Sequence, residues 1–246
     1  MQTFYSTDVG KIREHNEDNV IILKNDKNEY LLAVADGMGG HKAGEVASAI
    51  VIDYLTAEFC NLDTLGNKEN AIEFFRNVVV EMNNKIFDYT KENPDSKGMG
   101  TTFVCAVKTR DYLLYGNIGD SSGYVIKKNK LHKVTRDHTL VNLLVSTGEL
   151  TKEEAKYHPR KNVLMRALGA NNPIEIDIFD VENTTDGILL CSDGLTNMLT
   201  DEQIEKVLVE EKNAEDAVQK LIKKANARGG NDNISIAYLK KESGDL

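Results

Sequence analysis

The sequence has few of the features that mark membrane, secreted or disordered proteins. No stretch approaches about 18 consecutive apolar residues, the length of a transmembrane helix, so we expect no insertion into a membrane. Met1 to Gly10 lack both a basic start and an apolar run, which argues against a signal peptide. Only 3 residues are proline and 41% are hydrophobic, a composition typical of a folded protein and not of a disordered one.

Cysteine and basic residues are also scarce. The 3 cysteines, Cys60, Cys105 and Cys191, are far apart in the sequence and lie in apolar segments. This pattern excludes a disulfide framework and a cysteine-based zinc site, and it predicts reduced thiols in the core of a cytoplasmic protein. The 39 acidic residues outnumber the 30 basic ones and give a net charge of −9, which disfavours nucleic acid as a partner.

The length of 246 residues fits one large domain. No segment reads as a linker long enough to divide the chain, and there is no internal repeat or low-complexity tract. We therefore expect a single domain over residues 1–246, and we expect it to be a monomer.

Short apolar runs bounded by turn residues occur in groups, with helical patterns between them. The runs predict strands at Tyr30 to Ala35, Phe103 to Val107, Tyr112 to Tyr115, Tyr124 to Ile126, Ile188 to Cys191 and Ile234 to Leu239. Apolar residues at helical spacing predict helices, with stripes formed by Val46, Ile50 and Tyr54, by Ile72, Phe75, Val79, Met82, Ile86 and Tyr89, and by the apolar positions from Ala214 to Ala225. Capping signals at Thr151 and Thr200 mark two more helix starts. Helices paired between groups of strands favour α+β layers over a doubly wound parallel sheet.

Acidic residues follow several of these apolar runs directly. Asp36 and Gly37 end the first run, Asp193 and Gly194 follow another, and Asp120 comes shortly after a third. Asp232 lies in a glycine-rich segment just before the last run. Aspartate followed by glycine is a common turn pair, so any single instance is more often a turn than a metal ligand.

The four acids together allow a different interpretation. Two carboxylates about 4 Å apart repel by roughly 4 kcal/mol at an effective dielectric constant near 20, and a divalent cation between them removes the conflict. Oxygen ligands without histidine or thiolate partners select Mg²⁺, Mn²⁺ or Ca²⁺ over zinc. Spacing alone does not establish that the four side chains meet.

Eight motifs in order along the chain resemble the bacterial branch of the metal-dependent protein phosphatase family, the type 2C serine/threonine phosphatases. They are Arg13 with Asn16, Glu17 and Asp18; DGMGGHKAGEVAS from Asp36; GMGTT from Gly98; NIGDS from Asn117; TRDHTLV from Thr135; HPRKNVLMRALG from His158; CSDGLTN from Cys191; and GGNDNIS from Gly229. Each motif alone is weak to moderate in specificity, but eight in this order are highly specific.

The resemblance implies an αββα sandwich, in which two antiparallel sheets are flanked by paired helices. It implies two Mn²⁺ or Mg²⁺ ions, with a third as a further possibility. Asp36 would bridge two ions, with the Gly37 carbonyl on one of them and Asp193 and Asp232 on the other. Asp120 with Asp193 would hold the third ion. Glu17 and Asp18 would orient waters on the metal, and Arg13 would bind the substrate phosphate.

The implied reaction is hydrolysis of phosphoserine and phosphothreonine in proteins by a metal-activated water, opposing a bacterial serine/threonine kinase. The acid that protonates the leaving oxygen is open. His41 is one candidate, because Met38 stands where eukaryotic relatives have a histidine. A water on the ions is the other candidate. The sequence also departs from the family in having Ser122 where arginine usually follows the GDS motif. The stretch from about residue 140 to 169 resembles a mobile flap beside the active site.

Two other classes of function compete with this interpretation. A catalytically silent phosphoprotein-binding module would keep the fold, but it would not need so many mutually repelling carboxylates. A calcium-binding structural domain is disfavoured because the acids are dispersed over the chain and not gathered in one local loop.

Overall fold

The computed structural model describes residues 1–40 and 43–242 of the chain. Its strands are β1 Gln2–Asp8, β2 Asp18–Lys24, β3 Tyr30–Met38, β4 Gly100–Thr101, β5 Phe103–Lys108, β6 Leu113–Ile118, β7 Ser122–Lys127, β8 Lys130–Lys133, β9 Asp177–Val181, β10 Gly187–Cys191 and β11 Ile234–Lys240. Its helices are α1 Ala43–Cys60, α2 Lys68–Glu92, α3 Leu140–Ser146, α4 Lys152–Tyr157, α5 Asp193–Thr196, α6 Asp201–Glu210 and α7 Ala214–Ala227. A 3₁₀ turn covers Pro94–Ser96.

The strands form two antiparallel sheets. The first has the order β1-β11-β10-β7-β8, and the second has the order β2-β3-β5-β6-β9 with the short β4 against β3. Inward-facing residues of both sheets, such as Val34, Val104, Leu190 and Ala237, pack into one layer of core. Helices α1 and α2 cover the outer face of the second sheet, and α5, α6 and α7 cover that of the first. The expected α+β, αββα sandwich is confirmed.

The six apolar runs all became strands, and all six are interior strands of a sheet. Each lies against a neighbour on both sides and is covered on both faces, which requires an unbroken run of apolar residues. Among the edge strands, β1, β8 and β9 carry no such run, because an edge strand is only partly buried. Strand β2 does contain four consecutive apolar residues, 20–23, although it is only partly buried as well. None of these four strands was predicted from the sequence.

Both capping boxes are present at the predicted helix starts. Thr151 Oγ1 accepts a hydrogen bond from the Glu154 amide, and the Glu154 carboxylate accepts one from the Thr151 amide. Thr200 and Gln203 form the same reciprocal pair. The apolar stripe expected on α1 was wrong by one residue. Its fully buried positions are Ala47, Val51 and Leu55, which face β3, whereas Val46, Ile50 and Tyr54 are only partly buried. None of the helices within the described part of the chain is long and apolar enough to cross a membrane.

The prediction that all cysteines lie in the core was wrong for Cys60. Cys105 and Cys191 are fully buried in interior strands, but Cys60 is exposed as the last residue of α1. Burial raises the pKa of the Cys105 and Cys191 thiols well above its ordinary value, because a thiolate would be desolvated there.

We therefore expect a maleimide reagent to modify Cys60 alone in the native protein and all three thiols after denaturation. Intact-mass spectrometry counts the adducts, and a Cys60→Ser variant should show none under native conditions. Native labelling of Cys105 or Cys191 at the rate of Cys60 would contradict the placement of these thiols in the core.

Candidate active site

Strand ends from both sheets meet at one edge of the sandwich, and each carries an acidic residue. Asp36 lies near the end of β3, opposite Asp18 at the start of β2. Asp120 follows β6, Asp193 begins α5 directly after β10, and Asp232 precedes β11. Because neighbouring strands are antiparallel, the end of one strand and the start of the next share an edge. The sandwich therefore gathers acids that are up to about 200 residues apart in sequence.

A cleft of about 420 Å³ opens at this edge. The predicted site residues that line it are Arg13, Glu17, Asp36, Gly37, Asp120, Asp193 and Asp232. Asp18 is not part of the lining, because it is buried behind the cleft. His41 lies outside the described residues.

The backbone around Asp36 is held by two threonines of the GMGTT motif. The Asp36 amide donates to Thr102 Oγ1 at 3.0 Å, and the Asp36 carbonyl accepts from Thr101 Oγ1 and from the Thr102 amide, each at 2.9 Å. Both threonines are buried. Because every backbone group of Asp36 has a fixed partner, its side chain leaves β3 at a defined position.

Gly37 allows close packing at the base of the cleft. A Cβ atom at this position would lie 2.1 Å from the Gly44 carbonyl oxygen and 2.5 Å from the Glu17 carbonyl oxygen. Both contacts are with backbone, which cannot move aside as a flexible side chain could. Gly37 therefore lets β3, α1 and the loop before β2 meet directly beside Asp36.

Asp18 connects the two sheets. Its Oδ2 accepts a hydrogen bond from Ser192 Oγ at 2.7 Å, and Ser192 Oγ accepts one from the Ser235 amide at 2.9 Å. Asp18 is only 5% exposed. Burial, followed by repulsion from Asp193 and Asp232, raises the pKa of Asp18 to about 7 despite these hydrogen bonds.

Arg13 and Asp232 form an ion pair at the mouth of the cleft. Arg13 Nη2 lies 2.8 Å from Asp232 Oδ2, and half of the arginine side chain is exposed. The loop that carries Arg13 is fastened by the neighbouring Asn233. The Asn233 side chain accepts from the Glu17 amide and donates to the carbonyls of Val9 and His15, each at 2.9 Å.

Burial and the concentration of negative charge in the cleft raise the pKa values of its carboxyl groups. Burial raises the pKa of Asp36 well above its ordinary value, and the charges of Asp18, Asp193, Asp120 and Asp232 raise it further. Burial and Asp193 raise the pKa of Asp120 to about 7. Burial and Asp232 raise the pKa of Asp193 to about 6. The ionised cluster is therefore unfavourable without a compensating cation.

The chemistry of these oxygen donors fits a hard divalent cation, although their present arrangement does not gather them around one. Asp193 Oδ2 accepts from Asn197 at 2.9 Å, but Asp193 Oδ1 is buried and has no hydrogen-bond partner among the described residues. A buried carboxylate oxygen without a partner is costly unless an ion binds it. Across residues 1–40 and 43–242, no three His, Cys, Asp or Glu side chains are arranged to hold a metal ion, and Asp232 is paired with Arg13 instead.

His138 fixes the loop that carries Asp120. Its Nδ1 accepts from the Gly119 amide at 3.1 Å, and its own amide donates to the Gly119 carbonyl at 2.9 Å. Because a backbone N–H can only donate, the ring proton must be on Nε2, which lies 3.1 Å from Asp177 Oδ2. Gly119 has a φ of +104°, which favours glycine at this turn.

Three residues of this site were not predicted from the sequence. Thr102 and Asn233 lie within recognised motifs, but the spacing of residues in the sequence does not reveal a side chain that hydrogen-bonds to the backbone. Arg166 also lines the cleft, where its Nη1 lies 2.6 Å from Asp177 Oδ1. It is a second arginine beside the acids, and its place in the HPRKNVLMRALG motif was the signal that could have identified it.

The family model described as Protein phosphatase 2C matches residues 11–235. The chain belongs to the protein phosphatase 2C family. It is 41% identical over 242 residues to the serine/threonine phosphatase stp of Listeria welshimeri, covering 98% of this chain and 96% of the relative. It is 33% identical over 246 residues to the protein phosphatase PhpP of Streptococcus pneumoniae, covering 100% of this chain and 99% of that protein.

Solved structures of the protein phosphatase 2C family have the same fold. The serine/threonine phosphatase of S. agalactiae superposes with a TM-score of 0.92 at 35% identity, covering 98% of this chain and 99% of that one. Stp1 from Staphylococcus aureus also gives 0.92, at 38% identity, covering 99% of this chain and 96% of that one. The family predicted from the eight motifs is confirmed.

The raised carboxyl pKa values predict how pH acts on the metal-free protein. Asp18, Asp120 and Asp193 have pKa values of about 7, 7 and 6 when folded, above the values near 4 of unfolded chains. Their contribution to stability is present below the unfolded pKa and is lost as pH rises through 6 to 7. We expect Mn²⁺ to raise the melting temperature more at pH 8 than at pH 5.

Scanning calorimetry with EDTA and with Mn²⁺ measures both effects. Asp193→Asn should weaken the pH dependence and the Mn²⁺-induced shift, whereas the exposed Asp26→Asn should leave both unchanged. An equal Mn²⁺-induced shift at pH 5 and pH 8 would show that the ion does not bind these carboxylates.

The hydrogen bonds of Asn233 predict a large effect for a small change. Asn233→Ala leaves the Glu17 amide and two carbonyls without their partner, so we expect the free energy of unfolding to fall by about 1–3 kcal/mol. Urea denaturation measures it. The exposed neighbour Asn231→Ala should stay within about 0.5 kcal/mol of the unaltered protein. Equal losses in the two variants would show that Asn233 does not fasten the Arg13 loop.

Proposed function

We propose that the protein hydrolyses phosphoserine and phosphothreonine in proteins and depends on Mn²⁺ or Mg²⁺ held in the acidic cleft. The observation that carries this proposal is the convergence of Asp36, Asp120, Asp193 and Asp232 beside Arg13 in one cleft. Membership of the protein phosphatase 2C family and similarity to named serine/threonine phosphatases over nearly the whole chain support the same reaction.

Each acid has a proposed place around the ions. Asp36 would bridge two of them, with the Gly37 carbonyl on one. Asp193 and Asp232 would complete the other, and Asp120 with Asp193 would hold a third. Glu17 and Asp18 would orient water. When bound, such ions lower the pKa of water enough to supply hydroxide near neutral pH for attack on a phosphate ester.

Arg13 is the proposed phosphate-binding group. Its guanidinium is half exposed at the cleft and is paired with a single carboxylate, Asp232. A planar guanidinium can donate two parallel hydrogen bonds to phosphate oxygens, which lysine cannot do. We infer that Arg13 exchanges Asp232 for the substrate phosphate and offsets charge that develops on it. His41 is a proposed donor of the proton that the leaving serine or threonine oxygen requires.

The segment from about residue 140 to 169 is proposed as a flap that tunes access to the cleft. It begins with α3 and α4 and returns along the cleft wall, where Leu164 and Met165 line the opening. Its end is fixed to the body, where Leu168 is buried and bridges Thr101 and Arg166 pairs with Asp177, whereas α3 and α4 are largely exposed. Short segments held at their ends are suited to small opening motions.

The proposed biological setting is the cytoplasm of a bacterium, where the protein would act as a monomer and oppose a serine/threonine kinase. This setting follows from the bacterial relatives named as serine/threonine phosphatases, from the reduced cysteines and from the acidic surface.

The test is hydrolysis of p-nitrophenyl phosphate and of a phosphothreonine peptide with Mn²⁺. We expect turnover that EDTA abolishes and that Asp36→Asn or Asp193→Asn lowers by at least about 100-fold. The exposed Asp53→Asn on α1 is the matched control and should retain full activity. Circular dichroism verifies that each variant is folded.

Three results would overturn the proposal. A folded Asp36→Asn variant with full turnover would show that the cleft is not the active site. Tight binding of the phosphopeptide without product release would instead identify a phosphoprotein-binding module. Stronger binding of Ca²⁺ than of Mn²⁺ without turnover, measured by titration calorimetry, would indicate a structural calcium site.

A further inference from the structure

A second cavity, of about 700 Å³, lies beside the catalytic cleft. We call it the side cavity, and its lining includes Lys133, Arg136, Asn142, Leu143, Lys152 and Arg166. It is larger than the cleft and shares two wall residues with it, Met165 and Arg166. A chain that leaves the cleft over Met165 therefore enters the side cavity directly.

The side cavity has an excess of positive charge. Four cationic side chains line it against two acids. Lys133 pairs with Asp137 at 2.7 Å and Arg166 with Asp177 at 2.6 Å, which accounts for both acids. His138 adds no charge, because its Nδ1 accepts a hydrogen bond from a backbone amide.

Arg136 and Lys152 are the two cations that remain. Both are exposed, and neither has a carboxylate partner within the described ranges 1–40 and 43–242. They line one concave wall of a chain whose net charge is −9. Such a wall attracts anions and repels cations.

Apolar contact is available between these charges. Leu143 and Met165 line the side cavity and are each 47% exposed. Large apolar side chains left open beside unpaired cations are typical of a surface that binds a peptide, because they contact its backbone and aliphatic groups. A free inorganic anion has no apolar group that could contact these side chains.

We propose that the side cavity binds an anionic side chain of the same phosphoprotein whose phosphoserine or phosphothreonine enters the cleft. The anion is a carboxylate or a second phosphate, with Arg136 and Lys152 as its partners. This proposal rests on the proposed phosphatase function. It makes the protein selective for phosphorylated residues that have acidic neighbours in the chain.

The test uses the full chain with Mn²⁺ and matched phosphothreonine peptides. One set carries a single glutamate moved through the flanking positions on either side, a second set carries a second phosphothreonine there, and the reference peptide carries alanine. We expect kcat/KM to rise about tenfold or more at the flanking position that reaches the side cavity. The preference should shrink at high salt.

Variants then assign the preference to the side cavity. The ratio of kcat/KM for the acidic peptide to that for the alanine peptide should fall about fivefold in Arg136→Ala or Lys152→Ala, and to near one in the double variant. A general loss of activity cancels in this ratio. Lys223→Ala, which removes an exposed lysine on α7, should leave the ratio unchanged. Arg136→Glu should reverse the preference toward a lysine-containing peptide.

The outcomes separate the two proposals. Turnover of p-nitrophenyl phosphate reports the cleft alone, and its absence from the unaltered protein would overturn both proposals. Turnover without any acidic preference, or a preference that the double variant retains, would overturn only the assignment of the side cavity. If glutamate and phosphothreonine peptides both gain, the cavity accepts either anion; if only one gains, that group is the ligand.

Discussion

Repulsion between carboxylates at one edge of the sandwich is the constraint on which this structure depends. Asp36, Asp120 and Asp193 are largely removed from water, and the charge of Asp193 raises the pKa of both Asp36 and Asp120. Burying ionised groups beside one another opposes folding, so the rest of the molecule has to supply the compensating stability. Three layers of apolar core, one between the sheets and one under each set of helices, do so.

A network of hydrogen bonds fixes the groups that surround the acids. Thr101 and Thr102 satisfy the backbone of Asp36, Asn233 fastens the Arg13 loop, and Ser192 joins Asp18 to the opposite sheet. These contacts hold the carboxylates in place against their repulsion, because the loops could move apart only by breaking these hydrogen bonds. Among the residues that the structure describes, none forms a hydrogen bond with Asp193 Oδ1 inside this framework. A carboxylate oxygen that is held at a fixed position without a hydrogen bond is suited to bind an ion.

Much of the fold could be predicted from the sequence, and the limit has a physical cause. Interior strands such as β3 and β10 are covered on both faces, so their apolar runs predicted them, and the acids that end those runs predicted where the site lies. Edge strands such as β1 were missed because half-buried positions tolerate either residue type. Cys60 was misplaced because apolar neighbours in the sequence do not determine burial at the end of a helix. The contacts of Asn233 and His138 were missed because they join backbone groups far apart in the chain, which no local pattern records.

The cleft and the side cavity are neighbours of opposite charge, and the boundary between them explains how both can exist. Arg166 lines both sites, and its ion pair with Asp177 keeps that cation from neutralising the acids. Asp177 in turn accepts a hydrogen bond from His138 Nε2, and His138 Nδ1 accepts one from the Gly119 amide in the turn before Asp120. One chain of hydrogen bonds thus links the turn before Asp120 to Arg166 on the wall that the two sites share. Because a phosphopeptide is itself anionic, we expect the acids without metal ions to repel it and Arg136 and Lys152 to attract it. The proposed side cavity would then guide the peptide toward the cleft, where the proposed metal ions would offset the repulsion.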